Sequence, residues 1–231
     1  MENSDLGIII VAAGASRRFG GGSKVMEILG GKPVFLHSLE RFAPCAAPGG
    51  LVLVIPADNG SRDEFRQILD RYAPELPVKL VPGGDTRNQS VRNGFTALPE
   101  DIGMVAIHDA ARPFATVELL NELLAAARRT GGAIPGHPVA DSLRRRDEQG
   151  MMSDIVDRSD LFAVATPQVF RAAEFRQAAA LPGNSDCTDD AEMMCRAGFS
   201  VELVESREFN LKLTTRADLE LMNMRLAGVQ Q

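Results

Sequence analysis

The stretch LGIIIVAAGASRRFGGGSK, residues 6–24, decides how the rest of the chain is read. Its apolar run over residues 6–12 is short, rich in Ile and does not alternate, the pattern of a strand buried on both faces. The run passes directly into Ala12–Lys24, where small residues are mixed with Arg17, Arg18 and Lys24. Glycines expose backbone N–H groups and tolerate unusual dihedrals, and three basic side chains can neutralise oxygens that those N–H groups cannot reach, so the loop suits a polyphosphate. It is neither of the two common phosphate loops. Gly14-Ala15-Ser16 breaks a GxGxxG fingerprint, and Gly22-Ser23-Lys24 does not supply a GxxxxGK[ST] loop. A plain glycine-rich surface loop therefore stands beside the phosphate reading.

Working outward, runs of the same kind recur at residues 51–55, 78–81, 103–108 and 132–135, and read as further strands of a parallel sheet. Helical spacing and start signals fill the intervals. Ser61 with Glu64 and Thr86 with Gln89 fit capping boxes, and Thr116 can cap ELLNELLAAARR. Farther on, Asp189 with Glu192 opens a helix, strands are expected near 201–205 and 208–213, and a last helix follows Thr215 with Asp218 at capping-box distance. The expected fold is α/β, a doubly wound, mainly parallel, Rossmann-like sheet in one domain over residues 1–231. Ligands of such sheets sit beyond the carboxyl ends of the strands. One segment breaks the rhythm: residues 138–160 have two flanks around a polar DEQG turn and no helical stripe, which predicts a protruding β-hairpin arm. An isolated hairpin is marginal in water, so the arm is expected to pack on a second copy of the chain, with a mobile surface loop as the alternative.

Composition narrows the function. The 231 residues are 45% hydrophobic and carry a formal net charge of -6, so a broad electropositive surface for nucleic acid or anionic lipid is not expected, and phosphate chemistry must use locally gathered Arg and Lys. The three cysteines, Cys45, Cys187 and Cys195, lack CxxC spacing, and the three histidines form no HExxH pattern, so neither a disulfide framework nor a structural zinc is expected. The amino-terminal stretch has no basic region of a signal peptide, and its apolar run falls well short of the roughly 18 residues of a membrane span, so a cytoplasmic location is expected.

Two more loops after strands carry candidate chemistry. In VPGGDTRNQS, Gly83, Gly84 and Asp85 precede a helix start and leave backbone groups and Ser90 to meet a nucleobase edge; an ordinary turn capped by Asp85 is the simpler alternative. In AIHDAARPF, Asp109 is placed to help hold Mg²⁺, which takes only one or two carboxylates besides substrate phosphates, or else to pair with Arg112. His108 precedes Asp109 on the strand, faces the other way and is given a packing role. Arg158 lies on the return flank of the arm near the sheet. Lys212, in FNLKLTT, is expected at a late strand end, where a half-buried Lys requires an anionic partner unless it is simply solvated.

Taken together, AAGxxxR, the loop lysine, GGD, HDAARPF, DR, TPQ, TDDA and the late NLKLT resemble the 2-C-methyl-D-erythritol 4-phosphate cytidylyltransferases of non-mevalonate isoprenoid synthesis, through nearly the whole chain. The resemblance implies that CMP passes from CTP to methylerythritol phosphate, releasing pyrophosphate. It implies that Arg18, Lys24 and Lys212 contact the phosphates, that Asp109 sits by Mg²⁺, and that Ala13, Gly14, Ala15, Gly84, Asp85 and Ser90 bind the nucleotide. Arg112, Ser142, Arg158 and Thr166 would meet the polyol phosphate, Arg158 with a catalytic role. In the family the arm crosses to the other subunit of a homodimer, so Ser142 and Arg158 would act in the partner's site. Two positions depart from the family pattern: Lys24 lies behind Gly20-Gly21-Gly22-Ser23 without the usual preceding proline, and Ser142 stands where threonine is common. A ribitol-5-phosphate cytidylyltransferase shares the nucleotide half and is the nearest rival; a nucleotide-binding module without turnover is the rival from another class.

Overall fold

The computed structural model describes residues 5–14, 19, 23–183, 187–206 and 208–229. The first strand, β1 (Leu6–Val11), lies at the centre of an eight-stranded sheet. A small antiparallel pair, β2 (Ile28–Leu29) and β3 (Lys32–Pro33), leads to helix α1 (Val34–Phe42). Strand β4 (Leu51–Ile55), helix α2 (Ser61–Tyr72), strand β5 (Lys79–Pro82), helix α3 (Arg87–Thr96) and strand β6 (Met104–Asp109) then alternate as expected. Helix α4 (Val117–Thr130) runs to β7 (Gly132–Pro138). The arm, β8 (Leu143–Arg146) and β9 (Met152–Val156), follows, then β10 (Phe162–Val164) and β11 (Gln168–Arg171). Helices α5 (Ala172–Ala180) and α6 (Asp190–Arg196), strand β12 (Glu202–Glu205) and helix α7 (Arg216–Val229) complete the described chain.

The strand order is β10-β7-β11-β6-β1-β4-β5, with β12 also pairing β7. Strands β6, β1, β4 and β5 are mutually parallel, as is β12 with β7, whereas β11 runs antiparallel between β6 and β7, and β10 runs antiparallel to β7. The sheet is thus mixed and mainly parallel. The non-alternating apolar runs have a simple cause: Leu6, Ile8 and Ile10 face one helical layer and Ile9 the other, and Leu53 and Val54 divide in the same way. Residues of α1, α2 and α4 fill the first layer, and those of α3, α5 and α6 the second. Among the described residues, no helix is long and apolar enough to cross a membrane.

Most start signals act as expected. Thr86 accepts from the Gln89 N–H, Thr116 from Leu119, and Asp189 from Glu192. Thr215 and Asp218 bond reciprocally. Ser61 differs: Gly60 is the N-cap of α2, and Asp58 takes the Gly60 and Ser61 N–H groups and the Ser61 hydroxyl. The carboxylate satisfies helix-start donors that a Ser61 side chain, already inside the first turn, does not. Residues 208–213 are not a strand. Their backbone groups are paired singly instead, the Asn210 carbonyl with Arg112 Nη1 and the Leu213 N–H with the Ala111 carbonyl. Lys212 therefore sits on an extended loop, fixed by the fully buried Leu213 beside it.

Candidate functional site

The order β5-β4-β1-β6 reverses direction at β1, so the crevice between the carboxyl ends of β1 and β6 is the expected ligand position. Val11 is in register with Asp109, and the Ala110 N–H bonds the Val11 carbonyl, so the two following loops leave the sheet side by side. The loop after β5 joins them where the Gly83 N–H bonds the Ile55 carbonyl. A cavity of about 320 Å³ lies there. Ala13, Gly14, Lys24, Gly84, Asp85, Ser90, Asp109 and Lys212, expected from the sequence, all line it. Ala15 and Arg18 lie outside the described residues. Ser90 is buried, accepting from the Gly84 N–H and donating to the Thr86 carbonyl, so its hydroxyl shapes the turn itself.

Charge is concentrated on one wall. Lys212 Nζ lies 2.5 Å from Asp109 Oδ2, and Arg87 Nε lies 3.4 Å from Oδ1. Burial would raise the Asp109 pKa, but Arg87 and then Lys212 outweigh it and hold the carboxyl well below the usual carboxylate range. Arg87 Nη2 also lies 2.8 Å from Asp190 Oδ2. Burial pushes Asp190, 0% exposed, upward against the opposing pull of Arg87. Asp109 is thus not paired with Arg112, the structural alternative open in the sequence; Arg112 Nη1 reaches the Asn210 carbonyl instead.

A second cavity of about 380 Å³, lined by Arg112, His137, Glu208, Asn210 and Lys212 among others, lies beside the first. Lys212 lines both cavities. Thr166 is buried, with its hydroxyl between His108 Nδ1 and the Asp109 N–H, so it fixes the end of β6. His108 has the packing role expected of it, edge-on to Phe42, and is also bonded to Ser38 and the Arg112 carbonyl. Ser142 and Arg158 come together elsewhere, on an open concavity of about 660 Å³ at the arm, with Arg158 Nη1 on the Val139 carbonyl. This concavity and the first cavity have no lining residue in common.

Sequence reasoning missed Arg87, Asp190 and Gln168 as site-building residues. Gln168 reaches from β11 to the start of α6, donating to Asp189 Oδ2 and accepting from the Ala191 N–H. For Arg87 a signal existed: it is the first residue of α3, whose first turn holds no acid, and a cation there opposes the helix dipole unless anions lie close by.

Among known proteins, the profile of the family 2-C-methyl-D-erythritol 4-phosphate cytidylyltransferase (IspD) matches residues 6–227. A bifunctional enzyme IspD/IspF of Paramagnetospirillum magneticum is 41% identical over 216 residues, covering 92% of this chain and 54% of that protein. The chain spans about half the length of the bifunctional relatives it matches. A 2-C-methyl-D-erythritol 4-phosphate cytidylyltransferase of Dehalococcoides mccartyi is 35% identical, with 94% of each chain covered. Among solved structures, 4-diphosphocytidyl-2C-methyl-D-erythritol synthase from Anaerococcus prevotii matches with a TM-score of 0.81 at 25% identity, covering 97% of both chains. The 2-C-methyl-D-erythritol 4-phosphate cytidylyltransferase of Thermus thermophilus matches with a TM-score of 0.76 at 27% identity, covering 95% of this chain and 98% of the other.

Proposed function

Because the chain belongs to the 2-C-methyl-D-erythritol 4-phosphate cytidylyltransferase family, we propose that it transfers CMP from CTP to 2-C-methyl-D-erythritol 4-phosphate, releasing pyrophosphate. The observation that carries this reading is that Lys212 lines both the nucleotide cavity and the cavity beside it. A cation at that junction suits a reaction in which two phosphates must meet. The acceptor phosphate oxygen forms a bond to the α-phosphorus of CTP as the α–β bridging P–O bond breaks, and pyrophosphate takes up the electron pair. A phosphate monoester is already a nucleophile at neutral pH, so the protein supplies positioning and charge stabilisation rather than a base.

In this reading Gly84, Asp85 and Ser90, with Ala13, Gly14 and Ala15, receive the cytidine. Lys24 and Lys212 line the phosphate side, Arg18 is the further phosphate contact that family membership implies, and Arg112 lines the polyol phosphate side with Thr166 behind it at the end of β6. Magnesium suits the carboxylate present: a hard cation that takes one or two protein carboxylates besides substrate phosphates could be shared between Asp109, at the wall of the cavity, and the triphosphate. It would neutralise charge on the triphosphate. The chain would act as a homodimer in the cytoplasm, with Ser142 and Arg158 completing the partner's site. Met152 and Ile155, 65% and 74% exposed on the arm, support this, because a second copy would cover them.

The experiment is pyrophosphate release from each nucleoside triphosphate with methylerythritol phosphate or ribitol phosphate as acceptor. Release with CTP and methylerythritol phosphate is expected. Release only with ribitol phosphate would move the activity to the related enzyme, and none with either acceptor would end the transferase reading.

A further inference from the structure

We propose that Arg87 and Asp190 are positioning residues that keep the Asp109 carboxylate fixed while Lys212 moves its ammonium group from Asp109 to the substrate phosphates. The proposal rests on the CTP reading above and extends it to residues behind the cavity wall. Asp190, Arg87, Asp109 and Lys212 form a chain of alternating charge, with contacts of 2.8, 3.4 and 2.5 Å in that order. The inner end is fully buried, with Asp190 0% exposed, and the outer end is the Lys212 that lines both cavities.

The geometry favours positioning over stability. A guanidinium optimised for pairing binds one carboxylate through two parallel bonds. Arg87 instead divides itself, Nε to Asp109 and Nη2 to Asp190, and leaves its Nη1 and the Asp190 Oδ1 buried without hydrogen-bond partners. Desolvating such a pair is costly, and apolar residues of similar volume often serve stability as well or better. What this arrangement supplies is a second cation for Asp109.

The anchor is firm. Asp190 opens α6, whose start is tied to β11 by the Gln168 bonds to Asp189 and Ala191. Arg87 opens α3 directly after its cap Thr86. When a triphosphate enters, its negative charge competes with Asp109 for Lys212. Without Arg87, the departure of Lys212 would leave a nearly buried carboxylate with no counter-ion from the protein; with Arg87 held by Asp190, Asp109 keeps one and its place.

A double-mutant cycle tests this, with CTP affinity read by calorimetry. Asp190→Asn keeps the shape of the inner residue and removes its charge, and Lys212→Gln removes the outer charge; no direct contact links the two positions. Each single variant is expected to weaken CTP binding about tenfold, and the double variant to bind at least about fivefold tighter than the product of the single effects predicts. Additivity within about twofold would overturn the proposal, since a purely structural Asp190 lowers thermal stability without coupling to Lys212. Arg87→Lys, which keeps the charge but replaces the fork that sets Nε on Asp109 and Nη2 on Asp190 with a single ammonium, runs through the same cycle with the same expectation and serves if Asp190→Asn does not fold. Wild-type protein that binds no CTP would instead remove the underlying reading, and the proposal with it.

Discussion

Lys212 Nζ contacts Asp109 Oδ2 at 2.5 Å, joining two residues 103 positions apart in the chain at the junction of two cavities. The lysine is therefore held at the position where the two phosphates are proposed to meet, by an acid that must give it up. Lys212→Met is expected to lower kcat/KM on the order of 100- to 1000-fold, the scale of losing one preorganised charge contact to a transition state. Its melting temperature should change little, because the lysine is 37% exposed and the ion pair it leaves is replaced by Arg87. Steady-state pyrophosphate release checks this, and a loss below threefold would remove Lys212 from the reacting centre.

Two adjacent glycines should respond differently. A Cβ on Gly83 would lie 2.6 Å from Ala13 Cβ and 2.9 Å from Ser90 Oγ, both on short side chains that cannot swing away. Gly83→Ala should cost about 1–3 kcal/mol of stability and weaken CTP binding markedly. The three atoms nearest a Cβ on Gly84 all belong to the Gln89 side chain, which can rotate. Gly84→Ala should be milder in a denaturant titration, and the reverse order would contradict the described packing of this turn.

His108 supplies the pH dependence. Burial depresses its pKa from 6.5 to about 4, and the neutral ring accepts from Thr166 while its other nitrogen faces the Arg112 carbonyl. The unfolded chain therefore binds a proton that the folded chain refuses between these values. The stabilising contribution is present above pH 6.5 and is lost as pH falls toward 4, up to roughly 3 kcal/mol at about 1.4 kcal/mol per unit. Melts across this window should show a shallower acid decline in His108→Asn than in the wild-type protein; equal slopes would mean that the imidazole titrates normally.

The proposed shared site predicts complementation. Arg158→Ala and Lys212→Met proteins should each be nearly inactive, and after subunit exchange should recover up to about a quarter of wild-type activity, since each mixed dimer holds one intact site. Mixed dimers without recovery would confine the site to one chain.

Arg216, at the start of α7, stacks 4.5 Å from the Phe19 ring centroid and lies 3.0 Å from Glu27. It bridges two points of the chain that bracket Lys24. Arg216→Ala should cost about 1 kcal/mol or less, as exposed pairs do, yet raise the KM for CTP by about threefold through a looser Lys24 turn. An unchanged KM would mean that α7 has no hold on that turn.

The sequence alone determined the parts written locally. The strands at 6–11, 51–55 and 104–109 were legible because burial on both faces demands unbroken apolar runs, and the caps at Thr86, Thr116 and Asp189 because a helix start needs an acceptor within reach. The arm showed itself by having no helical stripe. Tertiary structure decided what depends on distant partners. Strand β11, only four residues long, takes its place from the antiparallel neighbours β6 and β7. Residues 208–213 look like a strand but bond singly to the loop after β6 instead, the Asn210 carbonyl to Arg112 and the Leu213 N–H to the Ala111 carbonyl. Above all, Asp109 could be named from its strand end, but its partners could not: Arg87, Asp190 and Lys212 come from two helices and a loop, and only the folded chain brings their charges within bonding distance.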